Sequence, residues 1–130
     1  MASTHIGVVV RASPDAVYRF ARDPANLPRW AAGLAQGDPV SGDDDAFAID
    51  SPMGRVTVVF APRNAFGVLD HDVVLPSGVR TSNPLRVLAH PDGAEVVFTL
   101  RQGDASDDDF ARDARAVADD LQRLKALVEG

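Results

Sequence analysis

The sequence predicts an α+β fold in which one long C-terminal helix lies across a curved antiparallel sheet. Two observations carry this prediction. Turn-forming residues divide residues 33–101 into short strand-like segments, and an apolar stripe of helical period runs through the last part of the chain. The chain opens with one strand and two short helices, so we expect a sheet of about six to seven strands with those helices after strand one.

The C-terminal helix is the clearest of the predicted elements. Ser106 is a capping residue, and three aspartates follow it in the first turn. A helix over residues 106–128 would be roughly 35 Å long at 1.5 Å per residue. The small side chains of Ala114 and Ala118 in mid-helix predict empty space beneath it. The apolar stripe consists of Phe110, Ala114, Val117, Leu121, Leu124 and Val128.

The first thirty residues predict a strand and two short helices. Residues 5–11 are rich in β-branched side chains and predict the strand. Ser13 and Pro14 then provide a cap and a first helical position, which predicts a helix over residues 14–21. Asp23 and Pro24 repeat this start signal, and the second helix is expected to end near Trp30.

Four later segments alternate apolar and polar residues and predict strands at residues 55–60, 66–75, 79–88 and 95–101. Their short connections favour antiparallel hairpins. Pro84 within the third segment predicts a bulge or a sheet edge. The inward faces are expected to carry Val56, Val58 and Phe60; Leu69, His71, Val73 and Leu75; Val79, Thr81, Asn83, Leu85 and Val87; and Val96, Phe98 and Leu100.

Composition limits the class of function. With 130 residues we expect one domain, spanning 1–130. The formal charge of −6 argues against nucleic acid as a partner, and the absence of cysteine excludes disulfides and thiol chemistry. No long apolar run indicates membrane insertion and no secretory signal is visible, so we expect a cytoplasmic protein. No motif indicates a metal site or a cofactor.

The opening residues resemble the helix-grip, START-like (SRPBCC) superfamily, and within it the bacterial polyketide cyclase/dehydratase-like members. The resemblance covers essentially the whole chain and is carried by residues 6–10 (IGVVV), 12–18 (ASPDAVY) and 23–30 (DPANLPRW). Members of that superfamily bind lipids, sterols, hormones, flavonoids or polyketides, and some catalyse cyclisation or dehydration. The resemblance therefore implies a cavity between a curved sheet and the C-terminal helix, without implying a particular reaction.

Candidate ligand contacts follow from the inward faces of these elements and from the one tryptophan. Trp30 is interpreted as an aromatic wall of the cavity, with a core anchor as the equal alternative. For Asn83 the alternative is a bulge stabiliser before Pro84. The predicted ligand-binding residues are Trp30, Val58, Phe60, Thr81, Asn83, Phe98, Phe110, Ala114 and Val117.

His71 is the one candidate catalytic residue. An imidazole on the apolar face of a strand can act as a general acid or base, and its alternative role is a core histidine bonded to a neighbour. Asp70 and Asp72 flank it, but adjacent strand residues point to opposite faces. Sequence adjacency therefore does not make a catalytic dyad here.

The sequence favours one function and leaves two alternatives open. The favoured function is binding of a hydrophobic or aromatic small molecule, lipid- or polyketide-like, in the internal cavity. The first alternative is a cyclase/dehydratase-like enzyme that uses His71. The second is a protein-interaction module with a closed cavity, as in relatives that modulate a chaperone ATPase. A homodimer is left open as the assembly state.

Overall fold

The computed structural model describes residues 1–32 and 35–130. Its order of elements is the predicted one: a strand, two short helices, a series of strands and a long helix. The elements are β1 (Ser3–Val10), α1 (Pro14–Arg22), a 3-10 turn (Pro24–Asn26), α2 (Leu27–Trp30), β2 (Gln36–Gly42), β3 (Ala46–Ser51), β4 (Gly54–Phe60), β5 (His71–Val74), β6 (Arg80–Asn83), β7 (Leu85–His90), β8 (Gly93–Arg101) and α3 (Asp107–Glu129).

The strands form two antiparallel sheets. The smaller has the order β1-β8-β7 and the larger the order β2-β3-β4-β5-β6. The α+β, helix-grip fold class is confirmed, although residues 1–32 and 35–130 contain eight strands where six to seven were expected. The sequence pattern does not predict β2 or β3. The segment Gln36–Gly42 contains two glycines, a proline and one β-branched residue, which gives it a weak strand signal.

Pro84 divides what the sequence predicted as one strand over residues 79–88. The chain leaves the larger sheet after β6 and enters the smaller one at β7. Pro84 has no N–H for a ladder, and the next amide, Leu85 N, donates instead to Oδ1 of Asp70 at 2.9 Å. The predicted edge or bulge is therefore a crossing between the two sheets.

The predicted strand over residues 66–75 is also shorter, because its first half is a loop organised by Asn64. The Asn64 amide donates to the carbonyls of Pro62 and Val68, both at 2.9 Å, and its Oδ1 accepts from Phe66 N and Val68 N. Gly67 has φ +72°, and a Cβ there would lie 2.1 Å from the Val87 carbonyl oxygen. Only glycine fits that position without strain.

Helix α3 is held at its C-terminal half. Leu121 and Leu124 are buried in the core, and Lys125 Nζ donates to the Val9 carbonyl at 2.8 Å. At the helix end, Arg11 N donates to Oε2 of Glu129 at 2.8 Å. The N-terminal half, capped by Ser106 as predicted, is more exposed and extends beyond these contacts. None of the described helices is long and apolar enough to cross a membrane.

Arg22, at the end of α1, is a fully buried charge. Its guanidinium donates to the Asp44 carbonyl and to the Asp45 carboxylate in the β2–β3 turn. It also lies 4.5 Å from the centroid of the Phe60 ring, a cation–π geometry. Helix α1 and the β2–β3 turn are thereby held next to Phe60, at the end of β4.

Candidate functional site

A cavity of about 350 Å³ lies between the larger sheet and helices α2 and α3. Its floor consists of two rows of side chains across β4, β5 and β6. One row is Phe60, His71 and Asn83, which are register partners on neighbouring strands. The other row is Val58, Val73 and Thr81. The antiparallel register places all six side chains on one face.

The roof of the cavity is one face of α3. The five helix residues that line it are spaced by three and four, which is the spacing of a single helix face. The smaller sheet and α2 provide the remaining walls, and Met53, at the β3–β4 turn, lies at the rim. These residues are Asp113, Ala116, Val117, Asp120 and Leu121 from α3; Leu27, Trp30 and Ala31 from the α2 region; and Leu75, Leu85, Phe98 and Leu100 from the strands and their ends.

The structure brings most of the predicted site residues together. His71 and the predicted contacts Trp30, Val58, Phe60, Thr81, Asn83, Phe98 and Val117 all line the cavity. Phe110 and Ala114 do not line it. Both are half-buried on α3, where Ala116 and Asp113 take the lining positions instead. Of the apolar stripe of α3, Val117 and Leu121 line the cavity, whereas Leu124 is buried in the core.

His71 lies between Phe60 and Asn83 in its row and forms one hydrogen bond. Its Nδ1 lies 3.0 Å from the Leu69 carbonyl oxygen, so Nδ1 carries the proton and Nε2 is left as an acceptor. The ring lies between Phe60, at 5.6 Å, and Phe98, at 6.3 Å between centroids. Burial among these rings lowers the pKa of His71 below its ordinary value of 6.5, so the imidazole is neutral at pH 7.

The two aspartates beside His71 are engaged on the opposite face, as the strand geometry predicts. Asp70 forms a bidentate ion pair with Arg86, which lowers the pKa of its carboxyl. Asp72 accepts from Ser82 and Arg80 at 2.6 and 2.7 Å, and these bonds likewise lower its pKa. Neither carboxylate orients the imidazole.

The other polar groups at the cavity have unused hydrogen-bonding capacity. Within residues 1–32 and 35–130, the side chains of Thr81 and Asn83 make no hydrogen bond. Trp30 is 5% exposed, and its indole Nε1 is a buried donor without an acceptor in that same part of the chain. Its backbone carbonyl accepts from Arg123 at 3.3 Å. Unused donors and acceptors on an apolar wall are the means by which a pocket orients a ligand.

Comparison with known proteins identifies the family. A family model for polyketide cyclase/dehydrase and lipid transport proteins matches residues 1–129. The chain belongs to this family. Membership in the polyketide cyclase/dehydrase and lipid transport family supports a ligand-binding or cyclase-like role. No curated protein matches the chain in sequence.

Solved structures with the same fold are distant in sequence from this member of the polyketide cyclase/dehydrase and lipid transport family. The Aha1 dimer from Colwellia psychrerythraea is 17% identical with a TM-score of 0.76, over 99% of this chain and 97% of that one. Protein BH1534 from Bacillus halodurans is 16% identical with a TM-score of 0.72, over 99% and 98%. DynU16, from the dynemicin biosynthetic locus, is 15% identical with a TM-score of 0.73 and is covered over 47% of its length, against 98% of this chain. At these identities the likeness establishes the helix-grip fold.

A second hollow of about 330 Å³ lies where the two sheets separate at Pro84. Phe60, His71 and Asn83 line both this hollow and the main cavity. Asp70, Asp72 and Ser82, which belong to the opposite face of these strands, line only the second hollow.

Sequence reasoning missed several residues of the site. No role was predicted for Asp113, Asp120 or Met53, yet all three line the cavity. Arg22 had a signal that could have found it: it follows Ala21 and lies one turn after Tyr18, on the buried face of α1. A charged residue at such a position indicates a buried partner.

Proposed function

We propose that the protein binds a hydrophobic or aromatic small molecule, lipid- or polyketide-like, in the cavity between the larger sheet and α3. The observation that carries the proposal is the pair of side-chain rows across β4, β5 and β6, covered by one face of α3. The lining is mainly apolar with a few polar groups, and its volume of about 350 Å³ falls in the range of small-molecule sites.

The driving force is removal of apolar surface from water. Each methylene that enters the cavity contributes about 0.8 kcal/mol, and the aromatic rings of Trp30, Phe60 and Phe98 provide flat contact surfaces. Thr81 and Asn83 can then hydrogen-bond a hydroxyl or carbonyl on the ligand. Selectivity would come from those bonds, because apolar contacts discriminate weakly.

The test uses Trp30, which is the single tryptophan of the chain. Titration with 1-decanol, which does not absorb in the protein range, is followed by Trp30 fluorescence and by calorimetry. Val117→Phe adds volume to the cavity roof. The matched control is Val40→Phe, the same substitution at an exposed position on β2 that does not line the cavity.

We expect 1-decanol to bind saturably to the wild type and to Val40→Phe, and at least tenfold more weakly to Val117→Phe. Thermal melts of all three proteins establish that each is folded. Binding that is absent from the wild type, or that Val117→Phe leaves unchanged, contradicts a ligand site in this cavity.

A cyclase-like reaction is the second candidate, and the geometry of His71 favours it. The imidazole is neutral, its Nδ1 is occupied by the Leu69 carbonyl, and Nε2 is available to accept a proton beside the ligand space. A poly-β-carbonyl probe offers an acidic methylene for such a base. We expect His71→Gln to abolish turnover of that probe while decanol affinity is retained; loss of neither, or of both together, argues against a catalytic His71.

The closed-cavity interaction module is less well supported. Such a module needs a filled interior, whereas the cavity lining includes Ala31 and Ala116 and leaves open volume.

A further inference from the structure

The charged groups at the cavity have one sign. Asp113 and Asp120 line it from α3, and no lysine or arginine lines it within the part of the chain that the structure describes. Two cations close to lining residues are already engaged: Arg123 pairs with Asp120, and Arg22, over the Phe60 ring, pairs with Asp45. The cavity therefore presents no positive charge to an occupant.

The sheet side adds no cation either. His71 is neutral at pH 7 because burial lowers its pKa, and its one proton is donated to the Leu69 carbonyl. A carboxylate placed among these groups would lose its hydration without gaining a counter-charge, which is costly. Aromatic rings carry negative faces, so a ring face that is open to the ligand favours a cation over an anion.

Asp113 is the carboxylate that can form an ion pair with a positively charged group of a ligand. It lies one turn before Ala116 and Val117, on the face of α3 that covers the cavity. Its side chain makes no ion pair or hydrogen bond with any residue in the described ranges. It is solvent-exposed, so it meets a ligand at the mouth rather than in the interior.

We propose that the ligand is a cationic amphiphile, with an apolar body in the cavity and a protonated amine beside Asp113, and that anionic lipids such as fatty-acid carboxylates are excluded. This inference rests on the proposed function, since it concerns the same cavity. The charge of the head group then decides which amphiphiles bind in the cavity.

The experiment compares three probes with the same ten-carbon body: decylamine, 1-decanol and decanoate. Each is titrated below its aggregation concentration at pH 7 and low salt, with Trp30 fluorescence and calorimetry as readouts. The variants are Asp113→Asn and the matched control Asp119→Asn, which makes the same charge change on an exposed residue of α3 that does not line the cavity.

The wild type is expected to bind decylamine about fivefold more tightly than decanol, the size of a partly exposed ion pair, and decanoate more weakly than decanol. Asp113→Asn should remove the preference for the amine without changing decanol affinity, and Asp119→Asn should retain it. Added salt should reduce the preference.

Two outcomes overturn the inference in distinguishable ways. If decanol binds but decanoate binds as tightly as decylamine, or Asp113→Asn leaves the preference intact, the charge assignment is wrong and the cavity proposal stands. If none of the three probes binds, the proposed function and this inference fail together.

Discussion

Removal of the Asp45 carboxylate should destabilise the protein because it leaves Arg22 buried without its counter-charge. Arg22 is 0% exposed, and an arginine does not escape burial by losing its proton. In Asp45→Ala the guanidinium retains the Asp44 carbonyl and the Phe60 ring. Neither carries a formal charge.

The magnitude follows from the unequal burial of the pair. Breaking a fully buried ion pair costs about 3–5 kcal/mol, whereas exposed pairs contribute about 0–1 kcal/mol. The Asp45 side chain is 63% exposed, so water can replace part of what it provides. We therefore expect a loss of about 2 kcal/mol, which lowers the urea midpoint by about 1 M for an m-value near 2 kcal/mol/M.

Urea unfolding of a double-mutant cycle with Arg22→Met is the assay. In the Arg22→Met background no buried charge loses its partner, so Asp45→Ala should lower the free energy of unfolding by less than about 0.5 kcal/mol. Asp50→Ala is the matched control, because Asp50 and its partner Arg55 are both more than half exposed. Equal costs for Asp45→Ala in the two backgrounds, or equal costs for Asp45→Ala and Asp50→Ala, would refute the reasoning.

Three further predictions concern His71, Asn64 and Ser106. Because the pKa of His71 is lower in the folded chain, the unfolded chain binds that proton first, and the free energy of unfolding should fall as pH drops below about 6.5, by at most about 1.4 kcal/mol per pH unit from this group. His71→Gln should lack this component, so parallel stability profiles between pH 7 and pH 5 would contradict it. Asn64→Ala should destabilise the protein by about 2–3 kcal/mol, since four backbone groups lose their partner. Amide hydrogen exchange should then rise in the 62–68 loop. Unchanged exchange there would argue against Asn64 as the residue that organises the loop. Ser106→Ala should cost about 1 kcal/mol in urea unfolding through loss of the α3 cap, and no change would mean that the cap is not formed in solution.

The sequence could predict the fold class because its strongest signals are local. The cap at Ser106, the period of α3, and the proline-started helix α1 and 3-10 turn depend only on neighbouring residues. The alternation of β4 and β5 placed His71 beside Val73 on the inward face, as the structure has it. These signals arise from backbone geometry that tertiary contacts reinforce.

The remaining features depend on contacts between distant residues, which one sequence does not display. The strand over residues 66–75 was shortened by the hydrogen bonds of Asn64, and the strand over 79–88 was divided by Pro84 and Asp70. The position of Asp113 at the cavity depends on how α3 lies over the sheet, where Leu121 and Leu124 are buried in the core. A cytoplasmic location and a homodimer stay predictions.

Methyl NMR with 1-decanol tests the central claim most directly. In the isotope-labelled protein, the methyl groups of Val58, Leu85, Val117 and Leu121 line the cavity, whereas that of Val40 does not. We expect saturable shift changes and ligand-to-methyl nuclear Overhauser effects at the first four and none at Val40. Effects that are absent, or that are spread over exterior methyls without contacts to the four lining residues, would contradict an internal ligand site.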